Sequence, residues 1–324
     1  MESKRAASGD GGAATFPYTR GMDFARFASR LMFAAAWCVG RLPLTWQQGL
    51  GDRLGRLALW RNTREAKVAR RNLEWVSPEL TAQARERAVL EILRQTGRSA
   101  VETLRIWTRP RADNLRLIHT VHGEHLLEAA AAAGRGTLVA APHHGNLELV
   151  IEAMAARGPF TLVYRVPDSA AGDAFLRLAR GGENIELVPA ETNAMRPLWK
   201  ALKAGGVVGI TPDQQPKLGA GEFAPFFGRQ ALTLTLIPRL AERSGATVLF
   251  VYAQRRDDGL FDLHVEAAPE AIASPDVAQA TAAMNAAVEA IARRDLRQYQ
   301  WTYKRFTLRP PGSGEANPYH PDCR

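Results

Sequence analysis

Within Thr137–Val150, TLVAAPHHGNLELV, two adjacent histidines are followed by an asparagine and a glutamate. An imidazole ionises near neutrality, so it can take a proton from a hydroxyl and later return it to a leaving group. A carboxylate close by would orient the ring and stabilise its positive charge. At ~100° per residue, His144 and Glu148 (spacing four) share a face of a continuous helix, while His143 and Glu148 (spacing five) do not. If the histidines lie in a loop before the helix, His143 can fold back onto Glu148 in the first turn. Spacing alone does not choose between the two histidines. They and the glutamate are also a partial metal-ligand set, but there is no HExxH arrangement and no obvious third partner. A third option is a histidine that merely caps or packs. No GxSxG, P-loop or GxGxxG sequence occurs, so neither a serine nucleophile nor a nucleotide is supported, and no cofactor is expected.

Such a motif needs a strand leading in and a helix leading out. The apolar run Thr137–Ala141 suits a buried strand that ends at Pro142. Gly145 allows the sharp turn, and Asn146 is a good N-cap for a helix over Leu147–Ala156 that carries Glu148. Strand and helix patterns alternate around it. Strands are expected at Phe160–Tyr164, Ile185–Pro189 and Val207–Thr211, with a hairpin pair at Thr247–Gln254 and Phe261–Glu266. Helices are expected at His125–Ala133, Ala171–Ala179, Met195–Lys203, Leu232–Ser244 and Ala278–Arg294. Asp213–Gly228, rich in Pro and Gly, reads as a long loop. The pattern predicts an α/β fold: a central, mostly parallel sheet flanked by helices, preceded by a helical, membrane-associated N-terminal region. The expected divisions are a flexible start at 1–19, a helical basic region at 20–117, the α/β domain at 118–308 and a loose tail at 309–324.

The chain has 324 residues, 46% hydrophobic and 23% charged, which is ordinary for a globular protein. Its net charge of +9 is concentrated: residues 1–116 hold 21 Lys and Arg against 11 Asp and Glu, and the remainder holds 21 against 22. A basic first third suits a polyanion such as anionic lipid, nucleic acid or an acidic carrier protein. The basic residues lack the interleaved aromatics of a single-strand platform and match no nucleic-acid motif, so nucleic acid is disfavoured. In Phe24–Trp46 the longest charge-free run is Leu31–Gly40, between Arg30 and Arg41. That is about half of the ~20 apolar residues needed to span a bilayer, and it fits a helix lying in the interface. Residues 47–107 look helical throughout, with Ser77-Pro78-Glu79 as a helix start. Two cysteines, Cys38 and Cys323, and no evident export signal suit a reducing compartment.

These residues resemble the late acyltransferases of lipid A biosynthesis, the lauroyl/myristoyl group of the lysophospholipid acyltransferase superfamily. The family signature, His-x4-Asp/Glu and often HFGNWE, stands here as His143-His144-Gly145-Asn146-Leu147-Glu148, which selects His143 as the matched histidine. RRNLEWVSPEL (Arg70–Leu80), LVYRVPD (Leu162–Asp168), TPDQQP (Thr211–Pro216) with GEFAPFFGRQALT (Gly221–Thr233), and QYQWTYKRFTLRPP (Gln298–Pro311) are similar to further family blocks in the same order. The resemblance covers about Arg20–Pro311. It implies transfer of an acyl chain from an acyl carrier protein thioester to a hydroxyl of a lipid A precursor or related glycolipid. His143 would be the base and Glu148 its partner. Asn146, Arg165, Asp213, Gln214, Phe226, Phe227 and Gly228 would bind substrate, Arg165 holding a lipid phosphate and the two phenylalanines lining an acyl groove. It also implies a place on the cytoplasmic face of the inner membrane. Another acceptor, such as an aminolipid or an aryl-polyene-type product, is compatible with the same motif, and a non-catalytic basic membrane-binding module is the reading outside acyl transfer.

Overall fold

The computed structural model describes residues 18–190 and 194–323. Of the expected flexible start, residues 1–17 lie outside the described residues. Helices come first: α1 (Tyr18–Gly40), α2 (Leu44–Trp60), α3 (Arg64–Val76), α4 (Ala82–Ile106) and the short α5 (Arg111–Leu115). α4 begins later than Ser77-Pro78-Glu79 suggests, because the Thr81 hydroxyl accepts from the Ala84 N–H and makes Thr81 the cap. α2 lies against α4 almost backbone to backbone: a Cβ on Gly51 or Gly55 would stand 2.5 and 2.6 Å from backbone atoms of Arg98 and Arg94. Asp52 fixes that contact by accepting from Arg98 Nε at 2.6 Å and Arg94 Nη2 at 2.8 Å. α4 is thereby held rigidly, and it becomes one wall of the site.

The sheet has seven strands in the order β1-β9-β8-β2-β5-β3-β4. In chain order these are β1 (Ile118–His122), β2 (Thr137–Ala140), β3 (Phe160–Tyr164), β4 (Ile185–Pro189), β5 (Val207–Ile210), β8 (Thr247–Arg255) and β9 (Phe261–Ala267). From β8 to β4 the neighbours run parallel, β8 and β9 form the expected antiparallel pair, and β1 follows β9. Helices α6 (Glu124–Ala133), α7 (Leu147–Ala155), α8 (Ala170–Arg180), α9 (Met195–Lys203), α10 (Leu236–Ser244) and α11 (Val277–Arg294) connect the strands. Because strand side chains alternate, β2 sends Leu138 and Ala140 into one core and Val139 and Ala141 into the other. The first core packs on α9, α10 and α11, and the second on α6 and α7. A sheet covered on both faces requires apolar strands throughout, which is how β2, β5 and β8 read.

The expected long loop at 213–228 is in part a second sheet. β6 (Gly221–Phe226) and β7 (Arg229–Leu234) pair antiparallel, with Phe226 opposite Arg229. Their two-residue connection, Phe227-Gly228, has φ +50° and +70°, the twist that a tight hairpin needs. β7 also takes Leu232–Leu234 out of the expected helix, so α10 begins at Leu236. Residues 309–323 carry no helix or strand, but Tyr319 is buried and its hydroxyl donates to Asn72 Oδ1 at 2.6 Å.

Candidate active site

The site lies at the carboxyl edge of the parallel strands, where chain ends and loops converge. β2 and β5 are neighbours with Ala140 opposite Ile210. His143 and Asp213 each lie three residues past that pair, so the two strand ends deliver them to the same point. The Asp213 carboxylate, 3% exposed, accepts from the His143 backbone N–H at 2.7 Å and pairs with Nδ1 at 2.8 Å. A carboxylate that receives Nδ1–H leaves the lone pair on Nε2. Gln214 Nε2 stands 3.2 Å from that nitrogen, in place to donate to it. Asp213 and Gln214 thus hold the two ring nitrogens in turn and set one tautomer. Burial alone would raise the Asp213 carboxyl, but the His143 charge and its two hydrogen bonds outweigh burial and leave it below its usual range.

Glu148 is not the residue that holds the imidazole. Its carboxylate, 8% exposed, pairs with the Arg180 guanidinium through Nε and Nη2 and accepts from Trp107 Nε1 at 2.8 Å. The expectation that His143 folds back onto Glu148 is therefore corrected. Asn146 starts α7 by accepting from the Leu149 N–H at 3.2 Å, and the helix that follows carries Glu148 toward α8. Gly145 has φ +67°, and a Cβ there would sit 1.8 Å from the Ala253 carbonyl oxygen, so only glycine lets the motif cross the end of β8.

His143, Gly145–Glu148, Leu176, Arg180 and Arg297–Gln300 line one cavity of about 400 Å³, with α4 and Trp107 as the opposite wall. His143 and the Glu148–Arg180 pair therefore face one space. α4 is anchored beneath it by Glu102 and Arg255, an ion pair whose side chains are 0% and 1% exposed. α1 packs against α4 and α8, two of the helices that supply this cavity with walls.

His144 has the opposite environment. It is 1% exposed, meets the Tyr252 ring edge-on at 5.4 Å, and neither ring nitrogen has a hydrogen-bond partner. Burial depresses its pKa to about 4, which keeps it neutral. The metal alternative has no matching donor set: among the described residues no group of three or more His, Cys, Asp and Glu could hold a metal ion. Arg165 is exposed just past β3, away from the cavity wall. Phe226 and Phe227 are core residues rather than the wall of a groove. They are buried with Trp301, Tyr299 and Phe306, and the Phe227 and Trp301 rings are 5.2 Å apart. Gly228 serves the β6–β7 turn. The sequence reading missed Arg180, Trp107 and the polar residues of α4. The only local signal for Arg180 was a basic residue in the last turn of a short helix, and countless solvated arginines share it.

An α/β chain with a carboxylate-oriented imidazole at the carboxyl edge of its parallel strands, opening on a cavity, has the design of an enzyme that moves protons with a histidine base. The model of the family described as bacterial lipid A biosynthesis acyltransferase matches residues 23–307. This chain belongs to that family. It is similar to a lipid A biosynthesis lauroyltransferase of Escherichia coli (strain K12), 32% identical over 278 residues, covering 85% of this chain and 90% of the relative. A palmitoleoyltransferase of lipid A biosynthesis from the same organism is 31% identical over the same shares. A lipid A biosynthesis acyltransferase of Haemophilus influenzae is 26% identical over 76% of this chain and 79% of the relative.

Proposed function

We propose that this acyltransferase moves a fatty acyl chain from an acyl carrier protein thioester to a hydroxyl of a lipid A precursor, with His143 as general base. The observation that carries the reading is the Asp213–His143 contact, which leaves Nε2 as the basic nitrogen. The acceptor hydroxyl takes the place of the Gln214 amide at Nε2 and gives up its proton there. Its oxygen then attacks the thioester carbon and forms a tetrahedral oxyanion. As that intermediate collapses, the C–S bond breaks and the imidazolium returns the proton to the leaving sulfur. The thioester is already activated, so a base, orientation and an oxyanion donor suffice without a covalent enzyme intermediate. Arg180 is the cation available to that charge, and Glu148 of the His-x4-Glu motif aligns it through Nε and Nη2. Arg165, exposed at the same sheet edge, is the cation assigned to a lipid phosphate.

The enzyme works at a membrane surface in this reading, on the cytoplasmic face of the inner membrane. Among the described residues no helix is long and apolar enough to cross a bilayer. α1 and α2 nevertheless expose Phe27, Leu31, Trp37, Trp46 and Trp60, the last two 68% and 78% exposed. Arg41 lies over the Trp37 ring at 4.7 Å, and Arg61 over Trp60 at 5.9 Å. Exposed aromatics beside arginines suit a helix pair resting among lipid headgroups.

Transfer by purified protein from acyl carrier protein thioesters to a lipid A precursor tests the reaction, with His143→Ala and Glu148→Ala as controls. Full activity in both variants would reject the mechanism. Mass spectrometry of lipid A after deletion tests the acceptor: an unchanged acyl count points to another glycolipid.

A further inference from the structure

The cavity beside His143 carries more unused hydrogen-bonding capacity than the chemistry needs. Gln95 and Thr103 project from α4, and Gln300 from the segment after α11. Gln95 spends its carbonyl oxygen on Arg255, which leaves its NH2 group. Thr103 and Gln300 spend neither the hydroxyl nor the amide group. Among the described residues none of these three groups has a protein partner. An alkyl chain lodged there would strip water from all of them and replace nothing. A ring bearing hydroxyl or amide groups would pair with them, and Leu147 and Trp107 on the same lining would meet its C–H faces.

We propose that this cavity seats the hydroxyl-rich, sugar-like head of the acceptor, with Thr103 and Gln300 as specificity-determining contacts, and that the donor's acyl chain lies outside it. The placement rests on the acyl-transfer reading above and adds where each substrate goes. It brings an acceptor hydroxyl to His143 from the cavity side. It also leaves chain-length selection to another surface.

The test compares wild type with Thr103→Val, Gln300→Leu and the double variant, after thermal melting has shown that each is folded. The acceptor is the lipid A precursor and the donors are acyl carrier protein thioesters of several chain lengths. The expected result is a rise of roughly tenfold in acceptor KM for each substitution, with donor KM and chain-length preference unchanged. A soluble glucosamine disaccharide without acyl chains should inhibit competitively against acceptor in wild type, and more weakly in the double variant. An altered chain-length preference, or an unchanged acceptor KM, overturns the proposal. The reading beneath it fails differently: there His143→Ala would retain transfer. An inactive His143→Ala beside unaffected Thr103→Val and Gln300→Leu removes the subsite alone.

Discussion

His143 and His144 share a peptide bond, and the fold assigns them to different chemistry. His143 lies against Asp213 and opens on the cavity, with a polar partner at each ring nitrogen. His144 is closed in against Tyr252, with no polar partner at either. The chain bends at His143, where the His144 N–H donates to the Pro142 carbonyl at 2.7 Å, and His144 then bridges to Tyr299, so the two side chains leave the turn into different surroundings. One imidazole is thereby held by a carboxylate on the cavity wall while the other serves as a neutral aromatic filler. Residue type therefore decides little here, and placement relative to a carboxylate decides most.

The strongest way to break this contrast is His143→Ala. Transfer should fall by roughly 10³-fold or more with the fold intact, because the proposed general base is gone while binding remains. A single-turnover assay with circular dichroism as a control checks it, and an equal loss from His144→Ala would erase the distinction. Asp213→Asn comes next. An amide can hold the ring without favouring the Nδ1–H tautomer, so kcat should drop roughly 10²- to 10³-fold with KM little changed.

Glu148→Gln probes the other wall of the same cavity. It releases the partly buried Arg180 guanidinium, so activity should fall roughly 10²-fold and melting should show a loss of a few kcal/mol. A full-activity Glu148→Gln would leave Arg180 without a role at the oxyanion.

Acid stability sharpens the contrast with a smaller effect. The pKa of His144 is about 4 in the fold against 6.5 unfolded, so between those values the unfolded chain binds the extra proton. Stability should therefore decline as pH falls from 6.5 to about 4, by up to about 3 kcal/mol. His144→Phe should abolish that part of the decline and leave transfer near wild type, as denaturant titrations at pH 7 and pH 5 would show. Asp213 works in a lower window. Its depressed carboxyl contributes stability above the usual carboxylate range, and that contribution is lost as pH falls through the folded value.

Much of the architecture was legible in the sequence because its causes are local. The apolar run of β2, Pro142 at its end, Gly145 at the turn and Asn146 as the cap are all short-range rules, and the structure follows them. Alternation of such segments was enough to predict a mostly parallel sheet. The β6–β7 hairpin was hidden because Pro225 and the glycines look like a loop, and its turn puts Phe227 at φ +50° without the usual Asn-Gly signal.

The site itself was decided at longer range. The sequence, with its family resemblance, paired His143 with Glu148 and set Asn146, Asp213 and Gln214 aside for substrate. Only the parallel pairing of β2 with β5 brings Asp213 to the imidazole from 70 residues away. Only the packing of α8 against the motif turns Glu148 to Arg180, 32 residues on. Spacing along one helix says which side chains can share a face. It cannot say which strand ends will meet, because sheet register is fixed by two buried cores that form only when the whole chain has folded.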